Sequence, residues 1–195
     1  MEFKLDQNIW VTSDSHYGHK NCAGPTISAW KSGYRNFTSV SEMNETLVNH
    51  LNEKVDQDDI LFHLGDFAWG NPYNIQQFRE RIICKNIILI LGNHDKEIRK
   101  RQNLRSLFTE VYDYGYETYI HKIRFVFNHC AMRVWNGSHR GSIHLFGHSH
   151  GSLPDFGRSM DVGVDTNDCY PYNINDIIKK FETVPVNILD HHELD

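Results

Sequence analysis

The residues best equipped for chemistry stand where short apolar runs give out. Asp14-x-His16 follows Ile9-Trp10-Val11-Thr12, Gly65-Asp66 follows Ile60-Leu61-Phe62-His63-Leu64, and Gly92-Asn93-His94-Asp95 follows Ile87-Ile88-Leu89-Ile90-Leu91. Asn128-His129 closes Ile123-Arg124-Phe125-Val126-Phe127, and Gly147-His148-Ser149-His150 closes Ile143-His144-Leu145-Phe146. Residues two apart on an extended backbone point to one side, so Asp14 with His16, and His148 with His150, each offer a pair of donors. Carboxylate oxygens and imidazole nitrogens without thiolate suit Mn²⁺, Fe or Zn²⁺ at a catalytic site, whereas structural zinc usually takes cysteines. Asp14, His16, Asp66, Asn93, His129, His148 and His150 exceed the needs of one tetrahedral ion and suit two ions sharing a carboxylate.

Such donors converge only if the elements before them are strands that end at one edge. In open α/β architectures ligands bind at the carboxyl ends of strands, and the chain has the β-α-β order this requires. Ser39-Val40-Ser41-Glu42 has capping-box spacing, and Met43, Leu47, Val48, Leu51 and Val55 continue it with helical period. Asn71-Pro72 opens a second helix through Ile75, Phe78, Arg79, Ile82 and Ile83, and the fully apolar run from Ile87 to Leu91 predicts a strand buried on both faces. Lys96 to Phe108 reads as one basic helix with Ile98, Leu104, Leu107 and Phe108 inward. The second half is richer in strands, at Tyr116 to Ile120, Ile123 to Phe127, Ile143 to Phe146 and Met160 to Val164. A helix from Ile174 to Phe181 and a strand from Val184 to Ile188 are predicted to end it. Residues 20–38 show no period and read as a surface excursion able to cover a site.

A chain of 195 residues with 39% hydrophobic residues is expected to form one domain over residues 1–195. The net charge of -5, from 20 basic and 25 acidic residues, argues against a surface built to coat nucleic acid and leaves a phosphorylated substrate open. Cys22, Cys84, Cys130 and Cys169 form no CxxC pair and read as buried free thiols. The acidic N-terminal residues do not form a secretory signal, and no apolar run has membrane-spanning length, so a cytoplasmic location without a membrane partner is expected. The 13 histidines are the unusual number, because several stand beside Asp, Asn or Gly at the ends of apolar runs.

Taken in order, D-x-H, G-D, G-N-H-[DE], a lone His and G-H-x-H resemble the pattern of the calcineurin-like metallophosphoesterases, closest in look to the short single-domain type of bacteria and phages. The blocks span Asp14 to His150, and their joint occurrence is far more specific than any one of them. The resemblance implies an α/β fold, a four-layer α/β/β/α sandwich of two mixed β-sheets flanked by helices. It implies that Asp14, His16, Asp66 and His150 hold one divalent ion and that Asp66, Asn93, His129 and His148 hold the other, with Asp66 as the bridge. Mn²⁺ is the expected metal, with Fe, Zn²⁺ and Ni²⁺ as alternatives. His94 would stand near the phosphoryl oxygens, stabilising charge or protonating the leaving oxygen, with Asp95 orienting its imidazole. The reaction expected is hydrolysis of a phosphodiester or phosphomonoester through in-line attack by a metal-bridging hydroxide.

Other residues are weighed individually. His19, Arg133 and His139 are candidate substrate contacts, with a solvated loop or a surface ion pair as the competing explanation. His63 and His144 alternate with apolar residues and read as packing groups or as supports behind the ligands. Trp69, Tyr73 and Trp135 could stack a nucleobase, though core packing accounts for them better. The run Lys96, Arg99, Lys100, Arg101 and Arg105 fits a solvated helix face more readily than a polyanion contact, and His191-His192 receives no role. A small, nucleotide-like phosphoester is therefore the expected substrate. The alternatives are a nuclease acting on DNA or RNA and a non-catalytic metal-stabilised binding module.

Overall fold

The computed structural model describes residues 7–24 and 35–186. The apolar runs form β1 (Ile9–Thr12), β2 (Ile60–His63) and β3 (Asn86–Ile90), side by side and parallel. Ile9 pairs with Ile60 and Thr12 with His63, while Ile60 pairs with Asn86 and His63 with Leu89. The three strands therefore end level and release their polar successors at one edge. A short helix α1 (Lys20–Ala23) precedes the crossover helix α2 (Val40–Lys54), and α3 (Pro72–Arg81) makes the next crossover.

Local chemistry accounts for the helix starts. Ser39 Oγ accepts the Glu42 N–H at 3.0 Å, while the Glu42 carboxylate reaches back to the Thr38 N–H at 2.8 Å, one residue beyond the usual capping-box partner. Asn71 Oδ1 caps α3 through the Asn74 N–H, with Pro72 at the first helical position, where no N–H is needed. Ser39→Ala should lower stability by about 1 kcal/mol, measured as a reduced midpoint in urea unfolding; an unchanged midpoint would show that the cap contributes nothing.

The helix predicted from Lys96 to Phe108 is instead two, α4 (Lys96–Lys100) and α5 (Gln102–Arg105), with Arg101 extended between them at φ -119° and ψ 111°. At 3.6 residues per turn, Ile98 and Leu104 would face different directions on one continuous helix. The break lets both bury against the sheet.

β4 (Glu110–Tyr112) adds a parallel edge beside β3. The second sheet is β5 (Tyr116–Ile120), β6 (Ile123–Phe127), β7 (Ile143–Phe146) and β8 (Ser159–Asp161), with β5 antiparallel to β6 and the rest parallel. β8 stops short of the predicted Val164 because the chain crosses to the first sheet, where Gly163 bridges Ser13. β9 (Tyr172–Asn173) then pairs antiparallel with β1, so both sheets are mixed.

Alternation along the strands divides the core. Val11, Phe62, Ile88, Phe125, Phe127 and Leu145 pack between the sheets, and the Phe62 and Phe127 rings stack at 4.5 Å across the gap. Leu61, Ile87 and Leu89 face outward against α2 to α5 through Leu51, Phe78, Ile98 and Leu104. α6 (Ile174–Phe181) inserts Ile177 and Phe181 at the margin of the intersheet core. The result is an α/β fold of two mixed sheets flanked by helices, in which the 3-10 turn Ser138–Arg140 and buried Trp135 cover part of the second sheet near His144.

Some expectations change. Residues 20–23 are helical, and the rest of the predicted excursion lies partly outside the described residues, as do Trp30 and Tyr34. Residues 184–186 carry no strand; 187–188 and His191-His192 lie outside the described residues. All four cysteines are free, but only Cys22 and Cys84 are buried, Cys130 being exposed because it follows His129 on a surface loop. Among the described residues no helix is long and apolar enough to cross a membrane.

Candidate metal centre

The loops leaving β1, β2 and β3 are tied to one another by their own backbones. Asp14 N–H donates to Gly65 O and His16 N–H to Asp66 O, both at 2.9 Å. Asp95, buried, accepts from the N–H groups of Asp66, Phe67 and Gly92 at 2.8, 3.0 and 2.8 Å. Its carboxylate thus organises the turns after β2 and β3, which corrects the expected role of orienting the His94 imidazole: both oxygens are committed to backbone donors. Across the sandwich, His148 N–H donates to Asp14 Oδ2 at 2.8 Å and His129 Nδ1 bonds Leu64 O at 2.8 Å.

Five candidate donors occupy left-handed backbone: Asp14 (φ 57°), His16 (47°), Asp66 (53°), His148 (67°) and His150 (48°). The members of each D-x-H and H-x-H pair therefore converge through turns and not through an extended strand, correcting the geometric reason inferred from spacing. Each such residue costs about 1–3 kcal/mol of strain, sustained here by the interlaced loops. Gly65, at φ +102°, allows a close approach between loops: a Cβ there would stand 2.7 Å from Gly92 Cα and 2.8 Å from His129 Nδ1.

The side chains gather around one oxygen. Asp66 Oδ2 lies 3.4 Å from His16 Nε2 and 3.5 Å from His129 Nε2, and Asp14 Oδ1 is 3.8 Å from His16 Nε2. Asp14, His16 and His150 form one cluster with donor atoms within 4.8 Å of one another; Asp66, His129 and His148 form a second. Asn93 Oδ1 is 2.9 Å from both His129 Nε2 and His148 Nδ1, which places it in the second cluster. Donors standing about 2.1 Å from one tetrahedral cation are roughly 3.4 Å apart, close to these imidazole-carboxylate gaps. Buried Asp14 Oδ1 has no hydrogen-bond partner among the described residues, a deficit that a cation would meet. The donor set therefore fits divalent cations.

Electrostatics differentiates the carboxylates. Burial pushes Asp14 up to about 6 despite the opposing charges of His129 and His150. Burial would raise Asp66 too, but its hydrogen bond to His129 and the charges of His129 and His16 hold it well below the usual carboxylate range. His129 is driven the other way, up to about 9, because its bond to Asp66 and the charges of Asp14 and Asp66 outweigh its burial. Burial holds His16 well below the ordinary imidazole value. Without metal, a protonated His129 thus supplies positive charge beside the carboxylates.

His94 reaches the cluster from the rim. Its Nε2 is 4.0 Å from Asp66 Oδ2, its side chain is 36% exposed, and its N–H donates to Asp66 Oδ1 at 2.8 Å. His19 is buried, not a solvated loop residue: its ring stacks on Trp69 at 3.6 Å, and Nδ1 is 2.9 Å from Cys22 Sγ. Burial and the His94 charge lower His19 to about 4, and burial pushes the Cys22 thiol up to about 12, which makes that sulfur a poor metal ligand. Trp69 also lies 4.8 Å from His94.

The remaining substrate candidates line cavities of their own. Arg133 borders an apolar pocket of about 240 Å³ with Met132, Phe146, Leu153 and Phe156. His139 lines a basic cavity of about 530 Å³ with Lys122, Arg124, Arg140 and Arg158, beside the starts of β6 and β7 and so away from the strand ends that carry the donors. Neither cavity is lined by a residue of the metal clusters. His139 stands apart from the donors because the loop after His129 runs back along the sheet to reach the start of β7. His63 bonds Ser15 Oγ at 2.8 Å and His144 bonds Val126 O at 2.9 Å, both as buried packing groups. Tyr73 is 65% exposed and Trp135 is buried, so only the latter serves the core.

Two residues not singled out from the sequence adjoin the site. Asp165 accepts from His150 Nδ1 at 2.7 Å, and Arg35, itself buried, donates to Asp165, Asp14 O and Ser15 O. Asp165 stands just past the run Met160 to Val164, the same strand-end signal as the donors, whereas Arg35 carries no such mark.

Comparison with known proteins yields a family model, Calcineurin-like phosphoesterase, matching residues 7–193. Over 92 residues the chain is 35% identical to the uncharacterized protein MJ1445 of Methanocaldococcus jannaschii, covering 46% of this chain and 48% of that one. The match thus spans about half the length of that relative. The protein of unknown function AQ665 from Aquifex aeolicus shares the fold, with a TM-score of 0.66, 20% identity and coverage of 90% of this chain and 100% of that one. An archaeal phosphodiesterase overlaps at a TM-score of 0.48 with 19% identity, over 80% of this chain and 82% of that one.

Proposed function

Because the chain belongs to the calcineurin-like phosphoesterase family, we propose that it is a dinuclear metal-dependent hydrolase of a small phosphodiester or phosphomonoester, nucleotide-like in size. The observation that carries this reading is the position of Asp66 Oδ2, 3.4 Å from His16 Nε2 and 3.5 Å from His129 Nε2, between the two donor clusters. Asp14, His16, Asp66 and His150 would hold one ion, and Asp66, Asn93, His129 and His148 the other. Two divalent ions, Mn²⁺ being the first choice, supply when bound a Lewis acid for the phosphoryl oxygens and a nucleophile at neutral pH.

The chain's own groups do the rest. His129 Nδ1 donates to Leu64 O, which fixes the ring with Nε2 toward Asp66 and Asn93, where a bound cation would take the place of its proton. His94, half-exposed at the rim, is placed to donate to a phosphoryl or leaving oxygen without displacing a ligand. His19 and Trp69 wall the side next to His94, while Asp95 holds the ligand loops in place.

The nuclease alternative has less support. Arg99 and Arg105 pair with Asp113, and Arg101 with Glu97, so the three arginines of the basic run are engaged by neighbouring carboxylates. The complete ligand set with His94 speaks against a binding module that has lost catalysis. We also read the chain as one domain working in the cytoplasm, in keeping with its free thiols.

Protein loaded with Mn²⁺ should hydrolyse bis-p-nitrophenyl phosphate, and EDTA should abolish turnover. A screen of mono-, di- and cyclic phosphoesters against single-stranded DNA then ranks the substrates. Absence of turnover with Mn²⁺, Fe²⁺, Zn²⁺ and Ni²⁺ alike would overturn the enzymatic reading, and cleavage of DNA alone would replace it with the nuclease.

A further inference from the structure

The two donor clusters are not built alike. His150 Nδ1 meets Asp165 Oδ2 at 2.7 Å, an arrangement that fixes the tautomer with the lone pair on Nε2 and increases the basicity of that nitrogen. Asp165 is itself held by a buried fork: Arg35 Nε donates to Oδ1 at 2.8 Å and Nη2 to Oδ2 at 3.2 Å. The same guanidinium donates to Asp14 O at 2.6 Å and Ser15 O at 2.9 Å. One planar, rigid group therefore locks the loop bearing Asp14 and His16 to the carboxylate that steers His150, although residues 14 and 150 lie far apart in sequence. A lysine could not do this, being a single point donor on a flexible stem. Asp165 also neutralises Arg35, so the clamp adds no net positive charge beside the cation position.

The other cluster lacks such a frame. His129 is braced by Leu64 O, but Asn93 and His148 are exposed, and His148 Nδ1 meets the Asn93 amide oxygen at 2.9 Å in place of a carboxylate. Those two side chains must give up this contact and part from each other before both can face one ion, and that rearrangement subtracts from affinity.

We propose that Arg35 and Asp165 are positioning residues that preorganise Asp14, His16 and His150, making theirs the tighter of two unequal metal positions and leaving the Asn93/His148 position to exchange. The proposal rests on the dinuclear reading above. It implies stepwise loading: at limiting Mn²⁺ the protein carries one ion, held at the buried position.

Calorimetric titration of the metal-free protein with Mn²⁺, with free Mn²⁺ followed by electron paramagnetic resonance, tests this without reference to turnover. The wild-type protein should bind in two resolved steps. Asp165→Asn should weaken the tighter step by roughly 10- to 100-fold, the usual effect of losing a partner behind a metal ligand, and leave the weaker step within about twofold, since His148 has no contact with Asp165. Asn93→Ala should do the reverse. Asp165→Asn strands a buried cation and could fail to fold; the double variant Arg35→Gln with Asp165→Asn removes both charges and should show the same selective loss.

Two equal steps in the wild-type protein, or a clamp variant that weakens both steps alike or neither, overturns the proposal. Asp66→Asn separates this failure from a failure of the dinuclear reading. If Asp66→Asn impairs both steps while the clamp variants change nothing, two metals bind without the clamp; if Asp66→Asn leaves Mn²⁺ binding intact, the dinuclear reading fails as well.

Discussion

Asp66→Asn is expected to reduce phosphoester turnover by roughly 10³-fold or more, at or above the upper range for losing one preorganised charge-stabilising group. Bound Mn²⁺, measured by elemental analysis, should fall below two ions per chain. The expectation follows from the position of a single atom, because Asp66 Oδ2 is the oxygen within 3.4 Å of His16 Nε2 and 3.5 Å of His129 Nε2. An amide of the same shape can still accept the His94 N–H that now bonds Oδ1 at 2.8 Å, so the loop need not rearrange and the fold should survive, as far-UV circular dichroism would show. It cannot supply the negative charge that holds the site together. That charge sustains the protonation of His129 in the absence of metal and would be shared by two cations in their presence. A variant that retained two ions and near-normal turnover would remove Asp66 from the bridging role.

His94→Ala should instead leave the metal content at the wild-type level while turnover falls by about 10²- to 10⁴-fold, the usual range for a positioned acid or base. The structural reason for this separation is that the His94 ring stands at the rim, 4.0 Å from Asp66 Oδ2, whereas its contribution to the ligand loop is made by the backbone N–H, which alanine keeps. Leaving groups resolve the role further. If His94 protonates the leaving oxygen, the loss should be large for alkyl esters and small for p-nitrophenyl esters, whose leaving group needs no proton. An equal loss for both classes would assign His94 to charge stabilisation at the phosphoryl oxygens, and full activity on alkyl esters would remove it from catalysis. Asp95 makes an informative contrast: it neighbours His94 in sequence, but its bonds to the N–H groups of Asp66, Phe67 and Gly92 make it a residue of loop architecture.

Much of the arrangement was legible because the relevant signals are local. The runs Ile9 to Thr12, Ile60 to Leu64 and Ile87 to Leu91 are strands because their residues are apolar and β-prone, and a polar donor after such a run belongs at a strand end. Ser39 and Asn71 mark helix starts through bonds that reach only three residues. Short elements escaped for the converse reason. β4 and β9, of 3 and 2 residues, have no period to detect and exist because neighbouring strands offer them partners. The break at Arg101 could be seen only once a sheet demanded that Ile98 and Leu104 face the same way.

What the sequence by itself determined is the inventory of donors and the kind of position each occupies, since residue type, run length and turn residues act over a few positions. Tertiary structure alone decided how the donors combine. The left-handed turns at Asp14, His16, His148 and His150, the bonding of Asp95 to three separate amides, the removal of His139 to the other end of its sheet, and the Arg35–Asp165 clamp all depend on contacts between segments remote along the chain. Ion-binding geometry is set by differences of a few tenths of an ångström between such segments, and no pattern of neighbouring residues encodes a distance of that kind.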